Sequence, residues 1–301
     1  MSLPEPDVSV VFETENEAPS HRIRLTDVME SWLRQTARSR VAEWIVVSPR
    51  PATSEEAALL QKAPARWIER SGIRYYGQKN EGISRARGRF IALADSDAVP
   101  ANDWLERALE VLEEGDPSIA LVTGRSRFLP GAFSREMAIA QLSNQADQPH
   151  DTTHFLAHNV LLRADAVRPL LFSADTIRLG SDTHLAEQLL AAGYRLRYDP
   201  SLRVMHNYSR HWTELYLHAV VIGHAYARFQ NHLGLPHPNR LWDFAGRVRL
   251  LMARWRELRR PLAIPFWRLP LSLLFLTAYS AAVARGYQMA VCGNPEPFAR
   301  F

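Results

Sequence analysis

The sequence predicts an α/β protein with a mainly parallel sheet flanked by helices, followed by a C-terminal helical extension. Short β-rich runs alternate with helical segments from Val8 to about His206, as in βα units. Beyond that region the pattern changes to longer helices rich in arginine. The 301 residues are 47% hydrophobic and 23% charged, which indicates a folded chain long enough for two domains. We therefore predict one domain over 1–208 and a second over 209–301.

The order of the apolar runs predicts a nucleotide site at one edge of the sheet. The carboxyl ends of parallel strands meet at one edge, and open α/β sheets bind ligands there. The sequence has no Gly-x-Gly-x-x-Gly motif and no Walker P-loop, which argues against a dinucleotide dehydrogenase and a P-loop NTPase. The predicted strands are Val8–Phe12, Glu43–Val47, Ile73–Tyr76, Phe90–Leu93 and Ile119–Thr123, with a helix from about Ile23 to Thr36 after the first strand.

Two carboxylates, Asp95 and Asp97, directly follow one of these apolar runs and are separated only by Ser96. Such carboxylates repel each other unless a cation neutralises them, and Mg²⁺ or Mn²⁺ is commonly held by one or two carboxylates together with substrate phosphates. The pair therefore predicts Mg²⁺ or Mn²⁺ as a cofactor. The same residues could instead form a solvated turn before the helix that starts near Trp104.

Two features of the composition bear on the compartment. Cys292 is the single cysteine, so disulfides and cysteine-based metal sites are excluded, which suits a reducing compartment. The first six residues lack the basic flank and apolar stretch of a signal peptide. We therefore expect the catalytic part to be cytoplasmic.

The region after residue 206 predicts attachment to a membrane surface. The segment 247–260 has one acidic residue, Glu257, and six arginines. Its apolar residues recur near helical spacing, as in helices that lie on anionic lipid, and they are Leu250, Leu251, Trp255 and Leu258. An ordinary surface helix is the alternative.

A second apolar segment follows this helix. Its longest stretch without a charged residue or proline is 271–284, which is shorter than the roughly 20 residues that span a bilayer. We expect peripheral contact with the inner membrane surface, and no nucleic-acid partner, because aliphatic residues separate the arginines. These arginines are Arg247, Arg249, Arg254, Arg256, Arg259 and Arg260.

From about Val8 to His206 the chain resembles the GT-A glycosyltransferases of family 2. The resemblance depends on several motifs in the order of the family rather than on the paired aspartates alone. It implies the GT-A fold and an inverting, non-processive transfer of one sugar from a nucleotide sugar to a glycan or lipid-linked acceptor. The motifs are the loop Glu13–Glu17, the segments Lys79–Ile83 and Ala86–Ile91, the pair at Asp95–Asp97, the helix start Pro100–Leu105, the stretch His158–Arg163, and the helix start Gly180–Leu185.

The resemblance also implies roles for individual residues. Asp182 would be the general base, although it could simply cap its helix. Asp97 would bind the metal directly, and Asp95 would bind it through water or contact the ribose. The segments Tyr194–Tyr198 and Leu202–Met205 predict a β-hairpin before His206. His206 would complete the metal site, although a histidine after a strand can be a plain polar edge residue. The residues implied in donor binding are Glu13, Asn16, Lys79, Asn80, Gly82 and Asp95.

Several positions depart from the family pattern. The resemblance favours a UDP-sugar, but Ser48 stands where the family commonly has an aspartate that contacts the nucleotide base, so the base is not fixed. Ser181 and His184, beside the implied base, stand where acidic residues are usual, so a non-catalytic descendant that binds a nucleotide sugar or a membrane is the alternative. His150, His154 and His158 have helical spacing that could serve a metal, but we interpret them as lining the acceptor site or a polar face.

Overall fold

The computed structural model describes residues 6–16, 21–141, 144–174, 180–207, 211–232, 234 and 240–294. Glu17, part of the first predicted loop, and residue 208, the predicted domain boundary, lie outside these ranges. The chain forms two compact units, which are 1–126 with 146–207, and 127–145 with 208–301. We call them the sheet unit and the helical unit. The predicted division into 1–208 and 209–301 remains a prediction.

The sheet unit is built on a mixed sheet. Its first four strands in space run parallel, in the order β3-β2-β1-β4, and the sheet continues from β4 in the order β8-β6-β9-β5. Strand β8 is antiparallel to β4 and to β6, and β5 is antiparallel to β9. A further strand, β7, pairs with β9. The strands are β1 (Val8–Glu13), β2 (Val41–Ser48), β3 (Ala65–Glu69), β4 (Phe90–Ala94), β5 (Ala98–Pro100), β6 (Ile119–Phe128), β7 (His150–Thr152), β8 (Val160–Arg163) and β9 (Arg195–His206).

Helices cover the sheet and make up most of the helical unit. Short 3₁₀ turns occur at Arg38–Arg40 and Phe266–Arg268. The α-helices are α1 (Leu25–Leu33), α2 (Ser54–Leu60), α3 (Tyr75–Arg85), α4 (Trp104–Glu114), α5 (Ser134–Ala140), α6 (Ala164–Val167), α7 (Ser181–Ala191), α8 (Trp212–His232), α9 (Arg240–Leu258) and α10 (Leu269–Val291).

The predicted α/β class with a helical C-terminal region is confirmed, but two local predictions were wrong. Ile73–Tyr76 is not a strand, because α3 begins at Tyr75 and the third strand is Ala65–Glu69. Tyr76 and Ile83 on α3 are buried and belong to one apolar cluster with Val11 of β1 and Val47 of β2. The predicted hairpin at 194–205 is instead one strand, β9, which pairs with β7 near its start and with β5 at its end.

The central strands are apolar on both faces, as expected of strands covered by helices on both sides. All six residues of β1 and all five of β4 are buried.

One contact between helix α3 and strand β1 requires a glycine. A Cβ atom on Gly82 of α3 would lie 2.2 Å from Cγ1 of Val11, so only a residue without a side chain lets α3 approach β1 this closely. This packing holds the start of α3 close to the carboxyl ends of the strands.

The helical unit has its own apolar core, which includes Leu251 and Trp255 of α9 and Phe275 of α10. Helices α8 and α10 cross at two glycines, because a Cβ atom on Gly223 or Gly286 would lie 1.8 Å from a main-chain oxygen of the other helix. Among the described residues, the segment 266–291 is long and apolar enough to cross a bilayer, yet part of its surface is buried in this core.

Candidate active site

The turn between β4 and β5 contains Asp95 and Asp97, and it is held in place by hydrogen bonds to Glu13. Oε1 of Glu13 accepts hydrogen bonds from the main-chain N and the hydroxyl of Ser96, at 3.1 and 3.3 Å. Oε2 of Glu13 accepts one from the main-chain N of Glu15, at 2.6 Å. Burial raises the pKa of Glu13 to about 8, and the charge of Asp95 adds to this shift. Glu13 therefore orders the loops around the site, and its predicted contact with the donor remains a prediction.

Asp95 lies in a buried polar cage. The Lys79 ammonium donates to its Oδ1, and the Tyr75 hydroxyl donates to Oδ2 at 2.7 Å. The side-chain amide of Asn16 also donates to Oδ2, at 3.1 Å. Burial alone would raise the pKa of Asp95, but the Lys79 charge and these hydrogen bonds outweigh burial and hold the pKa below its ordinary value. Three predicted site residues, Asn16, Lys79 and Asp95, are therefore in direct contact.

Asp97 lies between two histidines. His206 Nε2 is 3.5 Å from Oδ1 of Asp97, and His21 Nδ1 is 3.9 Å from Oδ2. Asp97 is only 4% exposed, and its Oδ1 accepts no hydrogen bond from any described residue. Burial raises the pKa of Asp97, and the opposing charge of His206 only partly offsets this. A buried carboxylate oxygen without a hydrogen-bond donor is costly, and a cation would relieve that cost.

His158 is a further residue of the site that we had interpreted as part of the acceptor side. Its ring lies 4.5 Å from the ring of His206, measured between centroids, and its Nε2 lies 2.9 Å from the Ser126 hydroxyl. Potential ligand atoms of Asp95, His158 and His206 lie within 4.8 Å of one another. Burial lowers the pKa of His158 to about 3, which keeps the imidazole neutral.

The side-chain atoms that could bind a metal ion at this site suit a divalent cation. They combine carboxylate oxygens from Asp95 and Asp97 with imidazole nitrogens from His158 and His206, and such a mixture suits Mn²⁺ and other transition metals as well as Mg²⁺. The orphaned Oδ1 of Asp97 is the observation that most directly calls for a positive ligand. The sequence analysis did not consider His21, and it interpreted His158 as lining the acceptor site or a polar face.

Asp182 is connected to the same region through two adjacent tyrosines. Asp182 lies beside Tyr76, since each side chain shifts the pKa of the other, and the ring of Tyr76 lies 4.7 Å from that of Tyr75, the residue that donates to Asp95. Helix α7 begins at Ser181, and its N-cap is Gly180 with φ of +89°, a conformation that favours glycine. Asp182 is therefore not the cap. Burial raises the pKa of Asp182, which increases the basicity of its carboxylate.

The family model named Glycosyl transferase family 2 matches residues 9–171, which is more than half of the 301-residue chain. The chain belongs to glycosyl transferase family 2. The predicted family and the predicted class of protein, a glycosyltransferase, are thereby confirmed. The match covers β1 through the paired aspartates and β8, but not Asp182 or His206.

Curated relatives each match less than half of this family 2 chain. A pre-mycofactocin glycosyltransferase of Mycobacterium tuberculosis is 30% identical over 139 residues, which are 43% of this chain and 29% of the relative. The succinoglycan biosynthesis protein ExoO of Rhizobium meliloti is 30% identical over 141 residues, which are 42% of this chain and 39% of ExoO. The matched region is therefore less than half the length of either relative.

Solved structures confirm the GT-A fold. A mannosyltransferase from Pyrobaculum calidifontis, solved with GDP-Man and Mn²⁺, has a TM-score of 0.64 at 16% identity and covers 97% of this chain and 89% of its own. GalNAc-T7, solved with UDP, GalNAc and Mn²⁺, has a TM-score of 0.55 at 13% identity and covers 95% of this chain and 56% of its own.

Two other residues implied by the family 2 resemblance are used in packing. The Asn80 amide exchanges two hydrogen bonds with the main chain of Phe172, at 2.7 and 2.9 Å, and so ties α3 to the segment after β8. Gly82 lies at the contact between α3 and β1. Both stabilise the helix that presents Tyr75, Tyr76 and Lys79, and their predicted contacts with the donor remain predictions.

Proposed function

We propose that this family 2 glycosyltransferase moves one sugar from a nucleotide-sugar donor to an acceptor hydroxyl in a cation-dependent, inverting reaction. The observation that carries the proposal is the buried Oδ1 of Asp97, which faces His206 and accepts no hydrogen bond from the part of the chain that the structure describes, in the unit that also contains Asp182. Two solved structures of the same fold support it, because both were obtained with a nucleotide or nucleotide sugar and Mn²⁺.

Asp97 and His206, with Asp95 directly or through water, would hold Mg²⁺ or Mn²⁺. A bound cation would offset the negative charge that the departing nucleoside diphosphate gains. Lys79 keeps Asp95 ionised, and Glu13 fixes the turn that presents both aspartates. The ammonium of Lys79 is also the nearest protein cation to Asp95, and we propose that it contacts the diphosphate as a point charge.

Asp182 is proposed as the general base. The acceptor oxygen forms its bond to the anomeric carbon while the bond from that carbon to the diphosphate oxygen breaks, and Asp182 takes the hydroxyl proton. The Tyr76 side chain lies beside the Asp182 carboxylate, and the raised pKa of Asp182 makes the carboxylate a stronger base. Inversion follows because the hydroxyl attacks the face opposite the leaving group.

The donor and acceptor are proposed by class. A UDP-sugar is favoured, and a GDP-sugar is the alternative that one solved relative of the same fold supports. Ser48, which replaces the aspartate usual in the family, accepts a hydrogen bond from the main-chain N of Arg50 at 3.2 Å. The acceptor is proposed to be a glycan or a lipid-linked sugar that receives one residue at a time.

We also propose that the helical unit holds the protein at the inner, cytoplasmic membrane surface. Phe266, Trp267 and Leu274 are 65%, 71% and 69% exposed, which is unusual for side chains of this size. Exposed arginines precede them in the chain, at Arg249 and Arg256 on α9 and at Arg260 in the turn after it. Large apolar side chains together with exposed arginines are typical of a surface that inserts among anionic headgroups.

The rate of nucleotide release from sugar nucleotides, compared between the natural protein and a variant that lacks the Asp97 carboxylate, tests the proposed reaction. Nucleotide release is measured from UDP-, GDP-, CMP- and dTDP-sugars with Mn²⁺, for the natural protein and for Asp97→Asn. Loss of a metal ligand is expected to slow release by at least about 100-fold, while Asp165→Asn, an exposed aspartate in the same unit, leaves it unchanged. Equal release by Asp97→Asn would refute the metal assignment, and binding of a sugar nucleotide without any release would favour a non-catalytic descendant.

A further inference from the structure

The pairing of β4 with β8 brings a second histidine to the cation site. In this antiparallel pair Phe90 lies opposite Arg163, and Leu93 lies opposite Val160. Continuing the same register beyond the strand ends places residue 158 opposite residue 95. His158 therefore reaches the site from the strand beside the one that carries Asp95, although the two residues are far apart in sequence.

The distances suit shared binding of one ion. Potential ligand atoms of Asp95, His158 and His206 lie within 4.8 Å of one another, and Oδ1 of Asp97 is 3.5 Å from Nε2 of His206. Two ligands on opposite sides of one ion, each at about 2.1 Å, are about 4.2 Å apart. Small rotations of these side chains are therefore enough to close the set around an ion.

Both imidazoles have the outer hydrogen bonds that orient metal-binding histidines. Nδ1 of His206 lies 3.0 Å from the main-chain oxygen of Asn207, so a proton on Nδ1 leaves the Nε2 lone pair facing Asp97. The ring of His158 is held at the Ser126 hydroxyl, which also accepts a hydrogen bond from the Asn159 amide at 3.2 Å. Asn159 is fully buried and is fixed in turn by Trp104.

We propose that His158 is a further ligand of the cation, so that the site has two imidazoles and binds Mn²⁺ in preference to Mg²⁺. The inference rests on the proposed function, because it concerns the cation of that reaction. Imidazole nitrogen suits transition metals, whereas Mg²⁺ favours oxygen ligands and retains its waters. His158 thus decides which divalent ion the enzyme uses.

The test is metal binding by the 301-residue chain without donor. Pulsed electron paramagnetic resonance of bound Mn²⁺ counts the coordinated imidazoles through their nitrogen hyperfine coupling. Two are expected in the natural protein, and one in His158→Gln and in His206→Gln. The Mn²⁺ dissociation constant of His158→Gln is expected to rise about tenfold or more, with a change of less than about threefold for Mg²⁺. His154→Gln, an exposed histidine four residues away, is the matched control.

One imidazole in the natural protein, or an unchanged Mn²⁺ affinity in His158→Gln, would overturn the inference. If His158→Gln fails to fold, the imidazole count in His21→Gln decides the matter, because His21 is the other histidine near Asp97: two remaining imidazoles support His158 as a ligand, and one would overturn the inference. The readout does not depend on turnover. A protein that binds Mn²⁺ through two imidazoles but releases no nucleotide would refute the proposed reaction and leave this inference intact.

Discussion

The ammonium of Lys79 and the carboxylate of Asp95 form an ion pair that is sealed from solvent, with both side chains at most 2% exposed. The chain has only two lysines, and the other, Lys62, is exposed. Lys79 also lies 4.6 Å from the centre of the Tyr75 ring, on its face. Its position next to Glu13, Asp95 and Asp97 provides the buried positive charge that balances part of this acidic cluster.

Lys79→Met is expected to destabilise the protein strongly, because it leaves Asp95 buried without its counter-charge. Removing one partner of a buried pair costs about 3–5 kcal/mol of the free energy of unfolding. Urea denaturation measures the change. Lys62→Met, the only other lysine change available, is expected to stay within about 0.5 kcal/mol. The double variant Lys79→Met with Asp95→Asn should recover part of the loss, and a loss below about 1 kcal/mol in Lys79→Met alone would contradict the pairing.

Asp182→Asn is expected to lower the rate of sugar transfer by about 100- to 10,000-fold, because an amide cannot accept the acceptor proton. Affinity for the donor and for Mn²⁺ should stay within about threefold, since neither is assigned to Asp182. Transfer rates at saturating donor, together with calorimetric donor binding, separate the two effects. Glu187→Gln, an exposed change on the same helix, serves as the control. A transfer rate equal to that of the natural protein would remove Asp182 from the mechanism.

The stability of the metal-free protein is expected to fall as the pH rises from about 6.5 to about 8, a range that lies above the ordinary pKa of His158, 6.5, and below the raised pKa of Glu13, about 8. Within it the folded state retains a proton that the unfolded chain releases, so proton binding favours the folded state less as the pH increases. Burial raises the pKa of Asp97 and Asp182, which act in the same direction.

Urea midpoints in EDTA, measured from about pH 6.5 to about pH 8.5, follow this dependence. Glu13→Gln should flatten it, whereas Glu69→Gln, an exposed change at the end of β3, should leave the slope unchanged. A slope that is the same in Glu13→Gln and in the natural protein would show that Glu13 is not protonated in the folded state.

Replacing Phe266 and Leu274 together by serine is expected to release the protein from vesicles that contain phosphatidylglycerol. Burying one such side chain contributes about 1.5–3 kcal/mol, so loss of both should weaken binding by at least about tenfold. Sedimentation with vesicles measures the bound fraction, and added salt should lower it in the natural protein. Val291→Ser, near the other end of α10 and 37% exposed, is the control. Equal sedimentation of the double variant would exclude this surface as the attachment site.

The hydrophobicity of neighbouring residues was sufficient to predict the strands that lie in the middle of the sheet. The runs at β1, β2 and β4 are mostly apolar, since both faces of these strands are covered, and the predictions there agree with the structure. The run at 73–76 was misread because a short aromatic and aliphatic stretch fits a strand or a helix start equally well. Strand β3 was missed because it lies at the sheet edge and includes two charged residues, Arg66 and Glu69.

The sequence by itself determined the α/β class, the order of the family motifs, and the position of Asp95 and Asp97 after a buried strand. Each of these depends on residues that are near one another along the chain. Tertiary structure alone decided that His158 and His21 join the aspartates and that Tyr76 connects Asp182 to the site. The physical reason is that strand pairing and helix packing bring distant segments together. Hydrophobic periodicity predicts which side of a helix or strand is buried, but it does not predict which other element packs against that side.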